Sequence, residues 1–254
     1  MKSTLQSDTS AVTGAAPEGA ADREAAARAV REMFTSIAPR YDLLNHLLSC
    51  NVDRIWWRRA AGTFAHILQR DGARVLDLCC GTGDMAFALK RRAGNSGVRI
   101  VGADFSHAML QIANRKSKGT ALRWIEADAL RLPLPNGRFD LVTSAFGFRN
   151  LADYDAGLRE IQRVLREGGE AGILDFGEPK GVLGRIYRVY FRRVLPAVGT
   201  VISGVKGPYA YLPASVERFP VPEQMLERMR AAGFREASWT PYTFGIAGLY
   251  RGRK

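Results

Sequence analysis

The chain has 254 residues, of which 46% are hydrophobic, and it carries a formal net charge of +12 at pH 7. This length and composition allow one substantial core without a second domain. Its three cysteines, two of them adjacent, and its three scattered histidines argue against a disulfide framework and against a zinc site. No apolar stretch approaches the ~20 residues of a transmembrane helix.

The N-terminal part of the chain is expected to be a tail followed by helices. Residues 1–24 are rich in Ala, Ser, Thr and Gly and are predicted to be disordered. They lack the pattern of a secretory signal, and their acidic residues are atypical of a transit peptide, which favours a cytoplasmic protein. Residues 25–70 show helical periodicity, and a second helix is expected to begin near Ile55 and to run to about Gln69.

An apolar run then ends in small residues and glycines. Residues 74–79 predict a buried strand, and the sequence from Gly81 to Asp84 predicts a sharp turn into a helix over 84–92. Glycine is needed where a ligand must approach the backbone closely, and the start of the helix offers unpaired N–H groups there. Gly81 and Gly83 are therefore candidate cofactor-binding residues.

The choice of cofactor depends on the residues that follow this turn. Asp104 closes a second predicted strand, 98–104, where a carboxylate can accept hydrogen bonds from both ribose hydroxyls of a nucleotide-like cofactor. The glycines also satisfy the dinucleotide pattern, so an NAD-dependent oxidoreductase is an alternative. Four features typical of class I methyltransferases favour S-adenosyl-L-methionine, and they occur in the expected order: Asp77 inside the first strand, Asp128-Ala129 after a third strand (122–126), a fourth strand from Phe139, and the helix-to-turn segment Arg163–Gly169.

Strands and helices alternate through the rest of the core, which predicts a parallel sheet with right-handed crossovers. Helices are predicted over 107–116 and 153–165, with strands over 139–144 and 169–175. After a helix from Pro222 to Ala232, two strands (236–240 and 243–250) are joined by a short turn and must be antiparallel. We therefore expect a Rossmann-like α/β fold of the class I S-adenosyl-L-methionine-dependent methyltransferases, with a seven-stranded, mostly parallel sheet, one antiparallel strand, flanking helices and additional N-terminal helices.

One domain is expected over residues 25–254. Its parts are the N-terminal helices (25–70), a cofactor-binding core (71–178), a basic insertion (180–220) and a C-terminal helix with two strands (221–254). Between Gly184 and Pro196 a helical wheel separates four arginines from apolar and aromatic residues, which is typical of an interfacial helix. A helix that covers the active site is the alternative. The sequence shows neither a sheet or groove with interleaved basic and aromatic residues nor a recognisable binding module, so nucleic acid is not an expected partner.

Two further segments are more specific than the cofactor motifs. They are Phe146-Gly147-Phe148-Arg149-Asn150 and Tyr209-Ala210-Tyr211-Leu212. With the segments Met33–Asn45 and Met229–Phe234, they make the chain similar to the C-methyltransferases of menaquinone and ubiquinone biosynthesis, over about residues 30–252. Some members, notably those serving ubiquinone, carry a cofactor-contacting Ser where this chain has Ala145, which favours the menaquinone branch.

The resemblance implies methyl transfer from S-adenosyl-L-methionine to a ring carbon of a polyprenyl quinol. Demethylmenaquinol is the expected substrate, and 2-polyprenyl-6-methoxy-1,4-benzoquinol is the alternative. The residues implied to contact the cofactor are Thr82, Asp104, Asp128 and Ala129. Arg149 is the candidate for stabilising the quinolate oxygen, and Tyr209 or Tyr211 for orienting the other hydroxyl. A structural salt bridge for Arg149 and lid packing for the tyrosines are the alternatives, and Asp175 and Glu178 are weaker candidates for a base.

A long prenyl tail does not leave the bilayer for a protein in solution, because each buried CH₂ contributes ~0.8 kcal/mol. The resemblance therefore implies transient contact with the membrane surface, at the inner face of the cell membrane. A homodimer is compatible with the sequence. A protein without enzymatic activity that binds membranes or partner proteins through the basic helix is a third hypothesis.

Overall fold

The computed structural model describes residues 14–15, 20–38, 51–177, 179, 184 and 208–254. Eight α-helices lie in these ranges: α1 (Arg23–Ile37), α2 (Val52–Thr63), α3 (Ala65–Leu68), α4 (Asp84–Ala93), α5 (His107–Lys116), α6 (Tyr154–Val164), α7 (Pro208–Arg218) and α8 (Pro222–Ala231). The predicted amphipathic helix at 184–196 and the family segment at 39–45 lie outside the described residues, apart from the single residue Gly184.

The sheet has seven strands: β1 (Arg74–Leu78), β2 (Arg99–Asp104), β3 (Arg123–Glu126), β4 (Phe139–Ala145), β5 (Leu165–Phe176), β6 (Arg235–Tyr242) and β7 (Ala247–Arg253). Their order in the sheet is β3-β2-β1-β4-β5-β7-β6. The first five strands are parallel, and β7 runs antiparallel to both of its neighbours, β5 and β6. The predicted fold class is therefore confirmed.

The alternation of side chains along β1 explains why the sheet is covered on both faces. Val75 belongs to an apolar cluster that includes Trp56 and Leu89, from α2 and α4. Leu76 and Leu78 belong to a second cluster, which includes residues of α6 and α8. Successive residues of a strand point to opposite faces, so this apolar run builds two core layers.

Helix starts agree with the capping residues in the sequence. Asp22 accepts a hydrogen bond from the backbone N–H of Ala25 (2.7 Å), and Asp153 accepts one from that of Ala156 (3.0 Å). Such side-chain oxygens satisfy N–H groups that have no partner within the helix. Helix α1 thus begins at Arg23, two residues earlier than the predicted start of the helical part at residue 25.

Three boundaries differ from the sequence expectations. The second helix is interrupted at Phe64, whose backbone (φ −99°, ψ 17°) leaves the helical conformation between α2 and α3. Strand β5 begins at Leu165, which pairs with Phe139 ahead of a register shift. The predicted strand at 243–250 begins only at Ala247, because residues Thr243–Gly245 form a 3₁₀ turn between β6 and β7.

Candidate active site

A cavity of about 280 Å³ lies at the carboxyl ends of the central strands. It lies at the end of β1, where the strand order reverses: β2 and β3 lie on one side of β1, and β4 and β5 lie on the other. Loops diverge at such a point of a parallel sheet and leave a crevice for a ligand. Residues from α1, α2, the β1–α4 turn, the loops after β2, β3 and β4, the last residue of β5 and the β6–β7 turn are among those that line it.

The turn from β1 into α4 forms one wall of the cavity. Gly81 has a φ of +53°, and its backbone N–H donates to Oδ2 of Asp104 over 2.8 Å. Thr82 is buried beside it, and Nζ of Lys116 lies 3.3 Å from the Thr82 hydroxyl and 2.8 Å from Oδ1 of Asp84. These contacts hold the turn in place from the neighbouring strand and from helix α5.

Gly83 has a different role from Gly81. Its φ of +91° makes it the left-handed residue that starts α4, and a Cβ there would lie 2.5 Å from the ring of Trp124. It is not among the residues that line the cavity. Gly83 therefore allows the turn to pack against β3 and contributes to the site indirectly.

The Asp104 carboxylate is buried at the end of β2. Oδ2 accepts the Gly81 N–H, and Oδ1 accepts the Ser106 N–H at 2.9 Å. Burial raises its pKa to about 6, although these backbone hydrogen bonds act in the opposite direction. Each oxygen uses one acceptor position in these bonds, so the carboxylate retains capacity for two hydroxyl donors.

The loop after β3 adds an apolar part to the same end of the cavity. Ala127 and Ala129 are buried, and Asp128 between them is exposed. Oδ1 of Asp128 accepts the backbone N–H of Leu130 at 2.8 Å, which fixes the turn. With Phe105, these residues provide small apolar surfaces beside a carboxylate.

Asp77 lies in the cavity wall and is fully buried. Oδ1 accepts a hydrogen bond from the Thr143 hydroxyl at 2.8 Å, whereas Oδ2 has no hydrogen-bond partner among the residues that the structure describes. Burial raises the pKa of Asp77 to about 7, against the opposing effect of hydrogen bonds from Thr143 and the Ala86 backbone. A buried carboxylate oxygen in a cavity wall retains the capacity to accept a hydrogen bond from a bound molecule.

Arg149 is held in a buried ion pair at the other end of the cavity. Its Nη1 donates to Oδ1 of Asp175 over 2.8 Å and to the Phe146 carbonyl, and its backbone N–H donates to Oδ2 of Asp175. The guanidinium carbon also lies 5.0 Å from the centroid of the Phe176 ring. Its Nε has no partner within the described part of the chain.

Three aromatic rings surround this end of the cavity. The ring centroids of Phe146 and Phe176 are 4.6 Å apart, and Trp56 lies 5.7 Å from Phe146 and 6.1 Å from Phe176. Phe146 has a φ of +58°, a strained conformation for a bulky residue. The cavity therefore combines a carboxylate-rich end and an aromatic end with one fixed arginine.

The structure brings most of the predicted site residues together. Those that line the cavity are Gly81, Thr82, Asp104, Asp128, Ala129 and Arg149. Tyr211 does not line it, but burial raises its pKa to about 12, and its hydroxyl has no partner among the described residues. The side chain of Tyr209 and the whole of Glu178 lie outside the described residues.

Sequence reasoning assigned no site role to several residues that line the cavity. These are Asp53, Trp56, Phe146 and Phe176. Trp56 and Phe176 are far apart in the sequence, so no spacing rule joins them. Phe146 offered a signal, because it belongs to the same specific segment as Arg149.

The fold and the site together define a class I methyltransferase that uses S-adenosyl-L-methionine. They combine a parallel sheet of this strand order, one antiparallel strand, a glycine turn after β1 and the Asp104 carboxylate at the end of β2. The residues present fit that group, because no described residue donates to Asp77 Oδ2 and the Asp104 carboxylate retains acceptor capacity. Residues 22–254 match the model of the ubiE/COQ5 methyltransferase family, and the chain belongs to this family.

Individual comparisons agree with this assignment. The chain is 51% identical over 236 residues to the demethylmenaquinone methyltransferase of Deinococcus radiodurans, covering 92% of this chain and 95% of that protein. It is 45% identical over 230 residues to the ubiquinone/menaquinone biosynthesis C-methyltransferase UbiE of Geobacter sulfurreducens, covering 89% and 88%. A solved SAM-dependent methyltransferase from Thermotoga maritima shares the fold, with a TM-score of 0.59, 20% identity and coverage of 88% and 99%.

Proposed function

We propose that this protein transfers a methyl group from S-adenosyl-L-methionine to a ring carbon of demethylmenaquinol. The observation that carries the proposal is the division of one cavity into a carboxylate-rich end and an aromatic end. The names of the relatives in Deinococcus and Geobacter support a quinol as the acceptor. When bound, the cofactor supplies an electrophilic methyl group.

The carboxylate-rich end is proposed to hold the cofactor. Asp104 would accept hydrogen bonds from the ribose hydroxyls, and the Gly81–Thr82 turn would allow close approach to its backbone. Asp128 and Ala129 would bind the adenine. Asp77 is a further candidate, because its unpaired Oδ2 can accept a donor from the ligand or attract its positive charge.

The aromatic end is proposed to bind the quinol ring. Trp56, Phe146 and Phe176 offer ring faces and edges to a flat substrate, and such contacts exclude water from it. Holding the ring in fixed orientation toward the cofactor end supplies much of the acceleration, because misaligned encounters are avoided.

Carbon becomes a good nucleophile when one quinol hydroxyl carries negative charge. Arg149 is proposed to stabilise that oxygen, since it is fixed by Asp175 and its Nε is without a partner among the described residues. A preoriented cation at low dielectric favours the quinolate over the neutral quinol. Tyr211 or Tyr209 is proposed to orient the second hydroxyl. The Tyr211 hydroxyl is neutral at physiological pH, since its pKa is raised to about 12.

The ubiquinone-pathway quinol is the second candidate substrate, and both pathway names occur in the printed name of the Geobacter relative. Ala145 lines the cavity and offers no hydroxyl there, whereas some members of the family that serve ubiquinone carry a Ser at this position; this difference favours the menaquinone branch.

We further propose that the protein acts in the cytoplasm, at the inner face of the cell membrane. None of the described helices is long and apolar enough to cross a bilayer. A homodimer is compatible with this proposal.

The test incubates the purified full chain with methyl-labelled S-adenosyl-L-methionine and each quinol under reducing conditions. We expect labelled menaquinol, and no product from the oxidised quinone, because only the quinol gives a quinolate. No methylation of either reduced quinol would contradict the proposal. Methylation of the benzoquinol alone would assign the chain to the ubiquinone branch.

Two variants test the assigned ends separately. Asp104→Asn should weaken binding of S-adenosylhomocysteine by at least ~10-fold in calorimetry, because a charged acceptor is lost. Trp56→Leu should leave that affinity unchanged and raise the KM for the quinol. Glu167→Gln is the control, since its side chain is 83% exposed outside the cavity. Equal effects of Asp104→Asn and Glu167→Gln would contradict the assignment.

A further inference from the structure

Two large apolar side chains are exposed beside the aromatic end of the cavity. Phe244 is 82% exposed and Ile55 is 58% exposed, which is unusual for residues of this size. They belong to different elements, since Ile55 lies on α2 and Phe244 lies in the turn between β6 and β7. Single exposed apolar residues are common on protein surfaces, whereas neighbouring ones mark an interaction site. The positions of Ile55 and Phe244 relative to each other and to the cavity therefore decide whether they mark one.

A hydrogen bond joins the two elements at the rim of the cavity. Nε1 of Trp56 donates to the Thr243 hydroxyl over 2.8 Å. Both of these residues line the cavity, whereas their sequence neighbours Ile55 and Phe244 are exposed. The exposed residues therefore directly follow or precede two residues of the cavity wall, one of which, Trp56, belongs to its aromatic end.

The turn holds Phe244 outward at a conformational cost. Thr243 has a φ of +46° and Phe244 a φ of +58°, two consecutive residues in the left-handed region without a glycine. Bulky side chains rarely adopt this conformation, and it persists where the surrounding structure or a ligand favours it. Consecutive positive φ values are typical of a tight hairpin turn, and this turn holds a phenylalanine side chain outward into solvent.

Three arginines of α2 lie on the same side of the helix as Ile55. Arg54, Arg58 and Arg59 are exposed, and positions 54, 55, 58 and 59 share one side of a helix. None of the three forms an ion pair with a carboxylate in the described ranges, although Arg59 lies 4.3 Å from the centroid of the Tyr242 ring. Exposed apolar residues flanked by unpaired arginines match the surface of an anionic bilayer.

We propose that Arg54, Ile55, Arg58, Arg59 and Phe244, here the rim surface, seat the protein on an anionic membrane. Phe244 and Ile55 enter the boundary between headgroups and acyl chains, and the arginines contact lipid phosphates. The opening of the cavity then faces the bilayer, so that a quinol ring reaches the site while its tail stays in lipid. The orientation rests on the proposed function, but the lipid contact is testable without any activity.

The experiment measures cosedimentation of the full chain with vesicles. We compare pure phosphatidylcholine with phosphatidylcholine containing about a third phosphatidylglycerol. The Ile55→Ser/Phe244→Ser variant should bind anionic vesicles at least ~10-fold more weakly than the unsubstituted protein, because two apolar insertions are lost. Arg54→Gln/Arg58→Gln should also bind more weakly and show a smaller salt dependence. Val221→Ser is the matched control, since Val221 is 54% exposed and precedes α8 on the opposite face of the sheet.

Calorimetry with S-adenosylhomocysteine checks that the serine variant is folded, and we expect its affinity to be unchanged. The proposal is overturned if the folded serine variant binds vesicles as well as Val221→Ser does. It is also overturned if the unsubstituted protein ignores anionic vesicles, or if the serine change dissolves a dimer in solution without altering vesicle binding. If the unsubstituted protein binds vesicles through this surface but methylates no quinol, the proposed function fails and the rim surface stands.

Discussion

Replacement of Asp77 by Asn should make the protein more stable at neutral pH and remove part of its pH dependence. Burial raises the pKa of this carboxyl from 3.8 to about 7 in the folded protein. Between these two values the folded state binds more protons than the unfolded state. The free energy of unfolding therefore falls as pH rises through this window, and the penalty is complete above pH 7.

The size of the effect follows from the same two values. A difference from 3.8 to about 7 corresponds to about 4 kcal/mol at pH 8. The amide oxygen of Asn can still accept the Thr143 hydroxyl, but its NH₂ group would replace an oxygen that has no partner in the described part of the chain. An unsatisfied donor costs about 1–3 kcal/mol at any pH. We expect Asp77→Asn to be destabilising by about 1–3 kcal/mol at pH 4 and stabilising by about 1–3 kcal/mol at pH 8.

Urea unfolding of the cofactor-free protein from pH 4 to pH 8 measures this, with the m-value checked for constancy. The quantity of interest is the difference between variant and unsubstituted protein, which should increase by about 4 kcal/mol across the range. Glu167→Gln, which removes an exposed carboxylate outside the cavity, is the control for the loss of an acidic side chain. A flat difference for Asp77→Asn would refute the reasoning, because it would mean that Asp77 ionises in the folded protein without a cost.

Two other substitutions test how the site is built. Gly83→Ala should lower the free energy of unfolding by about 1–3 kcal/mol, because its Cβ would overlap the Trp124 ring. Gly119→Ala, at a φ of +79° with open space around it, should cost less. Chemical denaturation of both variants checks this, and equal losses would show that backbone strain alone is responsible. Asp175→Asn should cost about 3–5 kcal/mol by leaving the buried Arg149 charge without its carboxylate, and wild-type stability in that variant would contradict the ion pair.

Local patterns in the sequence predicted the parallel part of the fold well. The apolar run of β1, the glycine turn and Asp104 are determined by short-range rules, so their positions agree with the structure. The break at Phe64 was missed, because the periodicity continues through it and only the packing of α3 shows the change of direction. The turn at Thr243 was missed as well, since the hydrogen bond from Trp56 that holds it joins two distant parts of the chain.

In the candidate site, too, some residues follow from short-range sequence patterns and others depend on contacts between distant elements. The residues of its carboxylate-rich end were named in advance as a group, because one turn and two strand ends supply them. The aromatic end was not, since Trp56, Phe146 and Phe176 come from α2, from the loop after β4 and from β5. Arg149 was identified by its segment, but its ion pair with Asp175 emerged only when β4 and β5 were seen side by side. Spacing along a chain does not encode contacts between separate elements.

The reversed direction of β7 has a consequence for how this enzyme could diversify. Because β7 runs opposite to β5, its first residue pairs with the end of β5, and the β6–β7 turn comes to lie above the cavity. If the proposed function holds, donor recognition is encoded largely in the first half of the polypeptide, while the final hairpin adds Thr243 and Ile246 to the cavity wall. Insertions or exchanges in that hairpin could alter acceptor choice while leaving donor affinity intact.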